Sequence, residues 1–206
     1  MLAVRGVARR MGEHIVFRRL EFAWDAPRMV CVRGVNGAGK TTLLALLAGA
    51  LRPDAGDILV QGRSLAAPAQ QARELLAYVP DDCPVYPFLT GREWLVFVQG
   101  LRRCDERMAQ DLLAGFALQP QLDVRFGAMS LGTARKFLLV SALMAVAPVL
   151  LLDEPTNGLD AASFEVLREQ LARRASEGLV VLTCHDIGQQ ERLGAETIAL
   201  ASLEAP

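Results

Sequence analysis

The residues Gly34-Val35-Asn36-Gly37-Ala38-Gly39-Lys40-Thr41-Thr42 hold the most specific chemistry in this chain. They fit the spacing G-x-x-x-x-G-K-[ST], whose glycines let successive backbone N–H groups turn inward around phosphate oxygens. The Lys40 ammonium can reach the outer phosphates, and the Thr41 hydroxyl can ligate Mg²⁺. A glycine-rich turn with an exposed lysine would share these residues. The flanks favour the phosphate loop: Met29-Val30-Cys31-Val32 is an apolar run fit for a buried strand, and residues 42–48 form a helix readily. A helix starting there sets its positive end against an anion. Alone, the loop predicts a nucleotide and not what the nucleotide drives.

A second cluster is Asp153-Glu154, directly after Leu150-Leu151-Leu152. One carboxylate at a strand end suits Mg²⁺, and its neighbour suits a base or water-orienting group for in-line attack on a γ-phosphate. Either residue alone would equally serve as an acidic helix cap. The phosphate loop upstream favours the metal and base roles. His185 follows an apolar strand and, taken alone, reads as a satisfied histidine at a strand end. His14 lies past a turn and reads as solvent-facing.

The elements that must position these groups follow from pattern. Residues 2–7 and 17–24 read as an antiparallel pair around Arg10-Met11-Gly12-Glu13. Residues 52–57 read as a turn, 58–61 as a strand, 69–76 as a short helix and 77–79 as a buried strand. From residue 84 to about 137 prolines and aromatics give way to helical patterns, with Asp105 able to cap a helix through Leu113. The run 149–152 is apolar throughout, as a central parallel strand buried on both faces is. Asp160 can cap the next helix, where Phe164, Leu167 and Leu171 form an apolar stripe and Glu165, Glu169 and Arg173 the wet side. Residues 179–183 form the next core strand. Strands alternating with helices predict an α/β, doubly wound, mainly parallel sheet.

Composition bounds the partners. The 206 residues suit one sizeable domain, and 52% apolar content is ample for a core. A formal charge of −1 provides no global basic field for nucleic acid, so no nucleic-acid partner is expected. Cys31, Cys83, Cys104 and Cys184 are scattered without a C-x-x-C pair, which predicts reduced, buried thiols and little support for zinc. No apolar signal-peptide core follows the first residues. The apolar run 137–152 contains Ser141 and Pro148, so it predicts a buried helix and a strand rather than a membrane span, and a soluble chain.

Asp153-Glu154-Pro155-Thr156-Asn157-Gly158-Leu159-Asp160, followed one helix and one strand later by Thr183-Cys184-His185-Asp186, resembles the nucleotide-binding subunit of an ABC transporter. The likeness runs nearly end to end. It implies a P-loop NTPase (RecA-like) core with a mainly parallel sheet, N-terminal antiparallel strands and an inserted helical subdomain. The single domain 1–206 then divides into a core of 1–83 and 138–206 and a helical signature subdomain of 84–137. It also implies ATP and Mg²⁺ as cofactors, and a homodimer or heterodimer of ATPase subunits that sandwiches two ATP molecules. Position by position, Gly34, Asn36, Gly37, Ala38, Gly39, Lys40, Thr41 and Thr42 become the phosphate loop. Asp153 joins Thr41 around Mg²⁺, and Glu154 becomes the catalytic glutamate. Residues 157–160 become the dimer-communication loop, and His185 the switch histidine at the γ-phosphate.

Three positions depart from the family pattern. The signature Leu-Ser-Gly-Gly-Gln stands here as Met129-Ser130-Leu131-Gly132-Thr133, keeping Ser130 and Gly132 for contact with the nucleotide of the opposite subunit. The glutamine expected after Tyr78-Val79-Pro80 is Asp81, a carboxylate able to approach Mg²⁺ directly or through water. The aromatic that stacks on adenine falls near Met11, which predicts an aliphatic platform for the base. Residues 78–90 and the altered signature are similar to bacterial drug, antibiotic and polysaccharide exporters. The short stretch after His185 is similar to haem-exporter subunits of cytochrome c maturation.

The resemblance therefore implies a peripheral ATPase at the cytoplasmic face of the inner membrane, powering a separate integral membrane permease that docks near Tyr86 and Phe88. Trp94 and Phe97 are expected in the subdomain's own core. An ABC-type ATPase acting on nucleic acid or the ribosome is the alternative, although a second nucleotide domain, coiled-coil arms and basic linkers are missing. A soluble regulator that binds ATP with little turnover is a third reading, against which the intact Glu154 argues.

Overall fold

The structure is a computed structural model and describes residues 1–66, 69–82 and 84–205. Cys83 lies outside the described residues, so the expectation of a buried thiol there has no structural counterpart. The chain opens with β1 (Leu2–Met11) and β2 (His14–Trp24), and β3 (Arg28–Arg33) then leads through the glycine loop into α1 (Lys40–Leu47). Next come β4 (Ala55–Val60), β5 (Arg63–Ser64), α2 (Gln70–Arg73) and β6 (Leu76–Val79). A helical stretch follows, with α3 (Gly91–Leu101), α4 (Glu106–Gly115) and α5 (Leu131–Leu143). The chain then alternates through β7 (Val149–Leu152), α6 (Ala161–Glu177), β8 (Leu179–Thr183), α7 (Ile187–Leu193) and β9 (Glu196–Ala199).

Two sheets result. One is parallel, in the order β6-β7-β8-β3-β9; the other is antiparallel, in the order β2-β1-β4-β5. The central strands β7 and β8, with the middle of β3, bury both faces, as their apolar sequences require. Because side chains alternate along a strand, neighbours go to opposite cores. Leu150, Leu152, Val180 and Leu182 join α5 and α6 in one cluster. Val149, Leu151, Val30 and Val32 join α1 and the antiparallel sheet in the other. The centre of the sheet is thus sandwiched between the two clusters. Truncating a side chain such as Leu151 to Ala would cost about 2–5 kcal/mol.

Helix starts follow local chemistry. Thr90 and Glu93 form a reciprocal capping box at α3, and Asp105, Ser130, Asp160 and Asp186 cap α4, α5, α6 and α7 through their side-chain oxygens. The last two turns of α5 are buried almost all round, so this helix runs into the core, and it passes unbroken through residues 137 and 138.

Several expectations shift. The first hairpin is longer than its apolar pattern suggests: β1 and β2 pair up to Met11 opposite His14, leaving only Gly12 and Glu13 in the turn. Register shifts in β1 break the period-2 signal that would have revealed the full length. Strand β4 starts at Ala55, within the expected turn, and the helix expected over 69–76 shrinks to α2, because Leu76 is taken by the parallel ladder beside Val149. Phe97 is 49% exposed, not core, since the buried stripe of α3 is Gly91, Leu95 and Val98. Trp94 is half-buried, with its Nε1 donating to Ser141 Oγ at 2.6 Å. On α6, Glu165 pairs with Arg168 and with Arg192 of α7 rather than along its own i,i+4 row.

Candidate active site

The glycine loop starts where β3 leaves the parallel sheet. Gly37 and Gly39 have φ of 78° and 101°, in the left-handed region that favours glycine. Gly39 is fixed twice over. A Cβ on it would lie 2.8 Å from Val16 Cγ1 and 3.0 Å from Phe17 Cζ, so β2 presses directly on the loop. Helix α1 then begins at Lys40 with no side-chain cap and no acidic residue in its first turn. Its leading N–H groups and dipole stay available to an anion. The Lys40 side chain is buried within the loop, its Nζ donating to Gly34 O at 2.9 Å and Val35 O at 3.3 Å. A cation resting on neutral carbonyls keeps its charge for a ligand.

The carboxylates sit at the end of β7, beside the end of β8, because the parallel ladder pairs Leu152 with Leu182. Thr183, the next residue of β8, uses that neighbourhood. Its Oγ1 donates to Asp153 Oδ1 at 2.6 Å and accepts from the Glu154 N–H at 2.9 Å. Glu154 adopts φ 48°, an uncommon conformation for a residue with a Cβ, costing of order 1–3 kcal/mol. Its Oε2 accepts from the His185 N–H at 3.0 Å. Its Oε1 stands 3.2 Å from the His185 ring Nε2, without hydrogen-bond geometry. Burial pushes the Glu154 carboxyl above the ordinary carboxylate range; the His185 N–H and ring and Lys40 pull it back, and Asp153 adds to the rise.

These groups face one hollow of about 330 Å³, lined by Asn36, Gly37, Gly39, Lys40, Thr41, Thr42, Asp81, Asp153, Glu154 and His185. Asp153 Oδ2 is buried there without a hydrogen-bond partner. Among the described residues no group of three or more His, Cys, Asp or Glu side chains is placed to hold a metal. An orphaned carboxylate oxygen in a hollow that Thr41 also lines fits Mg²⁺, which takes one or two carboxylates and completes its shell with phosphates and water.

The other candidates sit apart from the hollow's walls. Gly34 and Ala38 belong to the loop itself, where the Ala38 N–H donates to Val35 O at 3.1 Å. Met11 is 51% exposed at the tip of β1. Ser130 caps α5 by accepting from the Thr133 N–H at 3.1 Å. Gly132 faces the 157–160 loop, where a Cβ on it would lie 2.8 Å from Gly158 O. Lys136 Nζ, one turn on, donates to Asp160 Oδ2 at 2.6 Å and holds that carboxyl well below the usual range. A larger hollow of about 570 Å³ lies between α2, β6, α3 and α5. Among its polar groups, Trp94 is engaged with Ser141 and Arg102 with the Leu76 carbonyl.

Two contributors escaped the sequence reading. Thr183 lies inside a quoted motif without a role of its own. Arg135 carries no motif signal, yet its Nη2 donates to Asp81 O at 2.6 Å and Asp81 Oδ1 at 2.7 Å. An unpaired acid at a position facing phosphates is the one clue that a cation should be sought.

The profile of the family described as ABC transporter matches residues 17–157, which include the glycine loop, both carboxylates and the altered signature. The chain belongs to the ABC transporter family. Among ABC transporter proteins it is 35% identical over 194 residues to the Nod factor export ATP-binding protein I of Burkholderia lata, covering 92% of this chain and 64% of that protein. It thus spans less than two thirds of that relative's length. It is 34% identical over 189 residues to the cytochrome c biogenesis ATP-binding export protein CcmA of Escherichia coli, covering 90% and 89%. A solved ATP binding subunit of an ABC transporter superposes with TM-score 0.85 at 28% identity, over 94% of this chain and 82% of that one. A dimeric ATP-binding cassette in a post-hydrolysis state with ADP and Pi shares the fold, with TM-score 0.83 at 20% identity, over 97% and 94%. The mixed α/β fold with one parallel and one antiparallel sheet is thus that of ABC ATPases.

Proposed function

We propose that this chain is an ATP-hydrolysing subunit that pairs with a second ATPase subunit around two nucleotides and drives a separate membrane permease, in the direction of export. The observation that carries the reading is the convergence of Lys40, Asp153, Glu154 and His185 on one polar hollow at the head of α1. The phosphates of ATP lie along the Gly34–Thr42 backbone, held by N–H groups and by Lys40, whose Nζ is hydrogen-bonded to the Gly34 and Val35 carbonyls. Thr41 and Asp153 would hold Mg²⁺, which would supply positive charge to offset that of the phosphates. Glu154 orients the attacking water and takes its proton, and His185 holds that carboxylate in place. Thr183 fixes both acids at once.

The Ser130 and Gly132 end of α5 does not line this hollow, which supports a signature that serves the nucleotide of a partner subunit. Met11 is assigned as the platform for the base. The helical stretch 84–137 is assigned as the signature subdomain and 1–83 with 138–206 as the core. Tyr86 and Phe88 are 60% and 63% exposed with ring centroids 5.5 Å apart, a small aromatic patch for the permease. No helix among the described residues is long and apolar enough to cross a membrane. The proposed permease is a separate integral membrane protein, with this chain at its cytoplasmic face. The names of the Nod factor and cytochrome c biogenesis export relatives support export.

Phosphate release from ATP by the purified chain, followed with and without Mg²⁺, tests the chemistry. Affinity capture from detergent-solubilised membranes tests the partner. Mg²⁺-dependent hydrolysis and recovery of an integral membrane protein are expected. Absence of hydrolysis both alone and with membranes would sink the reading.

A further inference from the structure

Three carboxylates, Asp81, Asp153 and Glu154, line a hollow proposed for the most anionic part of a nucleotide. Asp153 and Glu154 have assigned work there. Asp81 stands in the loop after β6, and its negative charge opposes a polyphosphate at short range.

The Asp81 charge is met from behind. Arg135 projects from α5 with only 6% of its side chain exposed, while that of Asp81 is 51% exposed. Its Nη2 donates to the Asp81 carbonyl at 2.6 Å and to Oδ1 at 2.7 Å. Its Nη1 stands 3.5 Å from Asn157 O, and Asn157 Nδ2 stands 3.5 Å from Asp81 Oδ1. One guanidinium therefore joins the loop after β6, the loop after β7 and the helix that Ser130 caps. A buried arginine without a counter-ion would be costly, and the half-exposed Asp81 supplies that counter-ion. Arg135 and Asn157 approach only Oδ1 of the Asp81 carboxylate, so the test below separates a neutralised carboxylate from a metal ligand.

Resting on the nucleotide reading above, we infer that Arg135 is a positioning residue: it neutralises Asp81 and turns its carboxylate toward α5, so that the hollow keeps its attraction for a triphosphate. The effect grows with ligand charge, and ATP carries one more negative charge than ADP. Altering the pair must therefore move ATP affinity more than ADP affinity. A disturbance of the fold alone would move both together.

The test titrates the purified full chain with N-methylanthraniloyl ATP and ADP, with and without Mg²⁺. Asp81→Asn leaves the guanidinium uncompensated and should tighten ATP about three- to tenfold, and ADP less, with or without Mg²⁺. Arg135→Gln should weaken ATP by a similar factor, and Arg135→Lys, which keeps the charge, should stay near wild type. The double variant Asp81→Asn/Arg135→Gln should return to within about twofold of wild type, the non-additivity expected of one ion pair. Asp81→Asn keeps the backbone carbonyl and a side-chain oxygen that accept from Arg135, so this arm decides the matter even if Arg135→Gln fails to fold. Unchanged or uniformly shifted affinities in Asp81→Asn overturn the inference. A loss confined to Mg²⁺ solutions also overturns it, by making Asp81 a metal ligand. Failure of the wild type to bind either nucleotide, or binding unaffected by Lys40→Ala, would instead overturn the nucleotide reading and this inference with it.

Discussion

The His185 backbone holds Glu154 by one oxygen, and its ring lies beside the other. Its backbone N–H donates to Oε2 at 3.0 Å, and its ring Nε2 stands 3.2 Å from Oε1. The two residues are 31 apart in sequence and meet because β7 and β8 are adjacent in the parallel sheet. A buried carboxylate held this way has one oxygen committed and one left for a proton. Glu154→Gln should therefore bind Mg-ATP and lose about 10²–10⁴ in turnover, the usual cost of removing a general base. Single-turnover phosphate release and size-exclusion chromatography with ATP read the two parts. Near-normal turnover would remove Glu154 from the role.

The raised Glu154 carboxyl gives a pH signature. A base must be ionised, so turnover should fall on acidification at a pH above the ordinary carboxylate range. Stability runs the other way. A group whose folded pKa lies above its unfolded one contributes stability below the unfolded value and loses it as pH rises through the folded value. Ionised Glu154 therefore destabilises the fold at neutral pH. Glu154→Gln should melt above wild type near pH 7, and the gap should close as pH falls toward about 4. A gap independent of pH would place its origin elsewhere.

Gly39 combines a left-handed backbone with direct pressure from Val16 and Phe17. Gly39→Ala should lose about 1–3 kcal/mol in denaturant unfolding and weaken nucleotide binding. Gly12 offers the internal comparison, because its φ is 60° but nothing lies within 4 Å of the point a Cβ would occupy. Gly12→Ala should cost only the backbone strain, about 1 kcal/mol, and leave nucleotide binding alone. Equal losses would mean that the contact with β2 is unimportant.

At the head of α5, Gly132 meets a backbone oxygen, Gly158 O, that cannot rotate away. Gly132→Ala should push the signature end of α5 off the 157–160 loop. Ser130→Arg should go further, leaving ATP binding by the single chain intact while abolishing nucleotide-dependent dimerisation and turnover. A stable Ser130→Arg monomer with full ATPase activity would exclude a composite site between subunits.

Met11 ends β1 with half its surface exposed. If it carries the base, Met11→Tyr should raise ATP affinity relative to GTP by about 0.5–1.5 kcal/mol of added aromatic contact. Competition titration with the two nucleotides measures this. An unchanged ratio would move the base platform elsewhere.

The glycine loop, the acids after β7 and the caps Asp105 and Asp160 were legible in the sequence because each acts over a few neighbouring residues. Backbone curvature at Gly37 and Gly39, an N–H bonded three residues on, and a strand buried on both faces leave contiguous marks. Tertiary structure alone decided what those marks meet. Arg135 reaches Asp81 across 54 residues, and Thr183 reaches Asp153 across 30, through contacts created by packing α5 on the sheet and laying β8 beside β7. The exposure of Phe97 was likewise settled by which stripe of α3 the neighbouring helices could cover. Strand β9 is short and mostly exposed, and it becomes a strand only because β3 offers it an unpaired edge. Local preference selects the loops and elements; hydrogen bonding and burial between distant elements select the partners, and partners are what turn a carboxylate into a base.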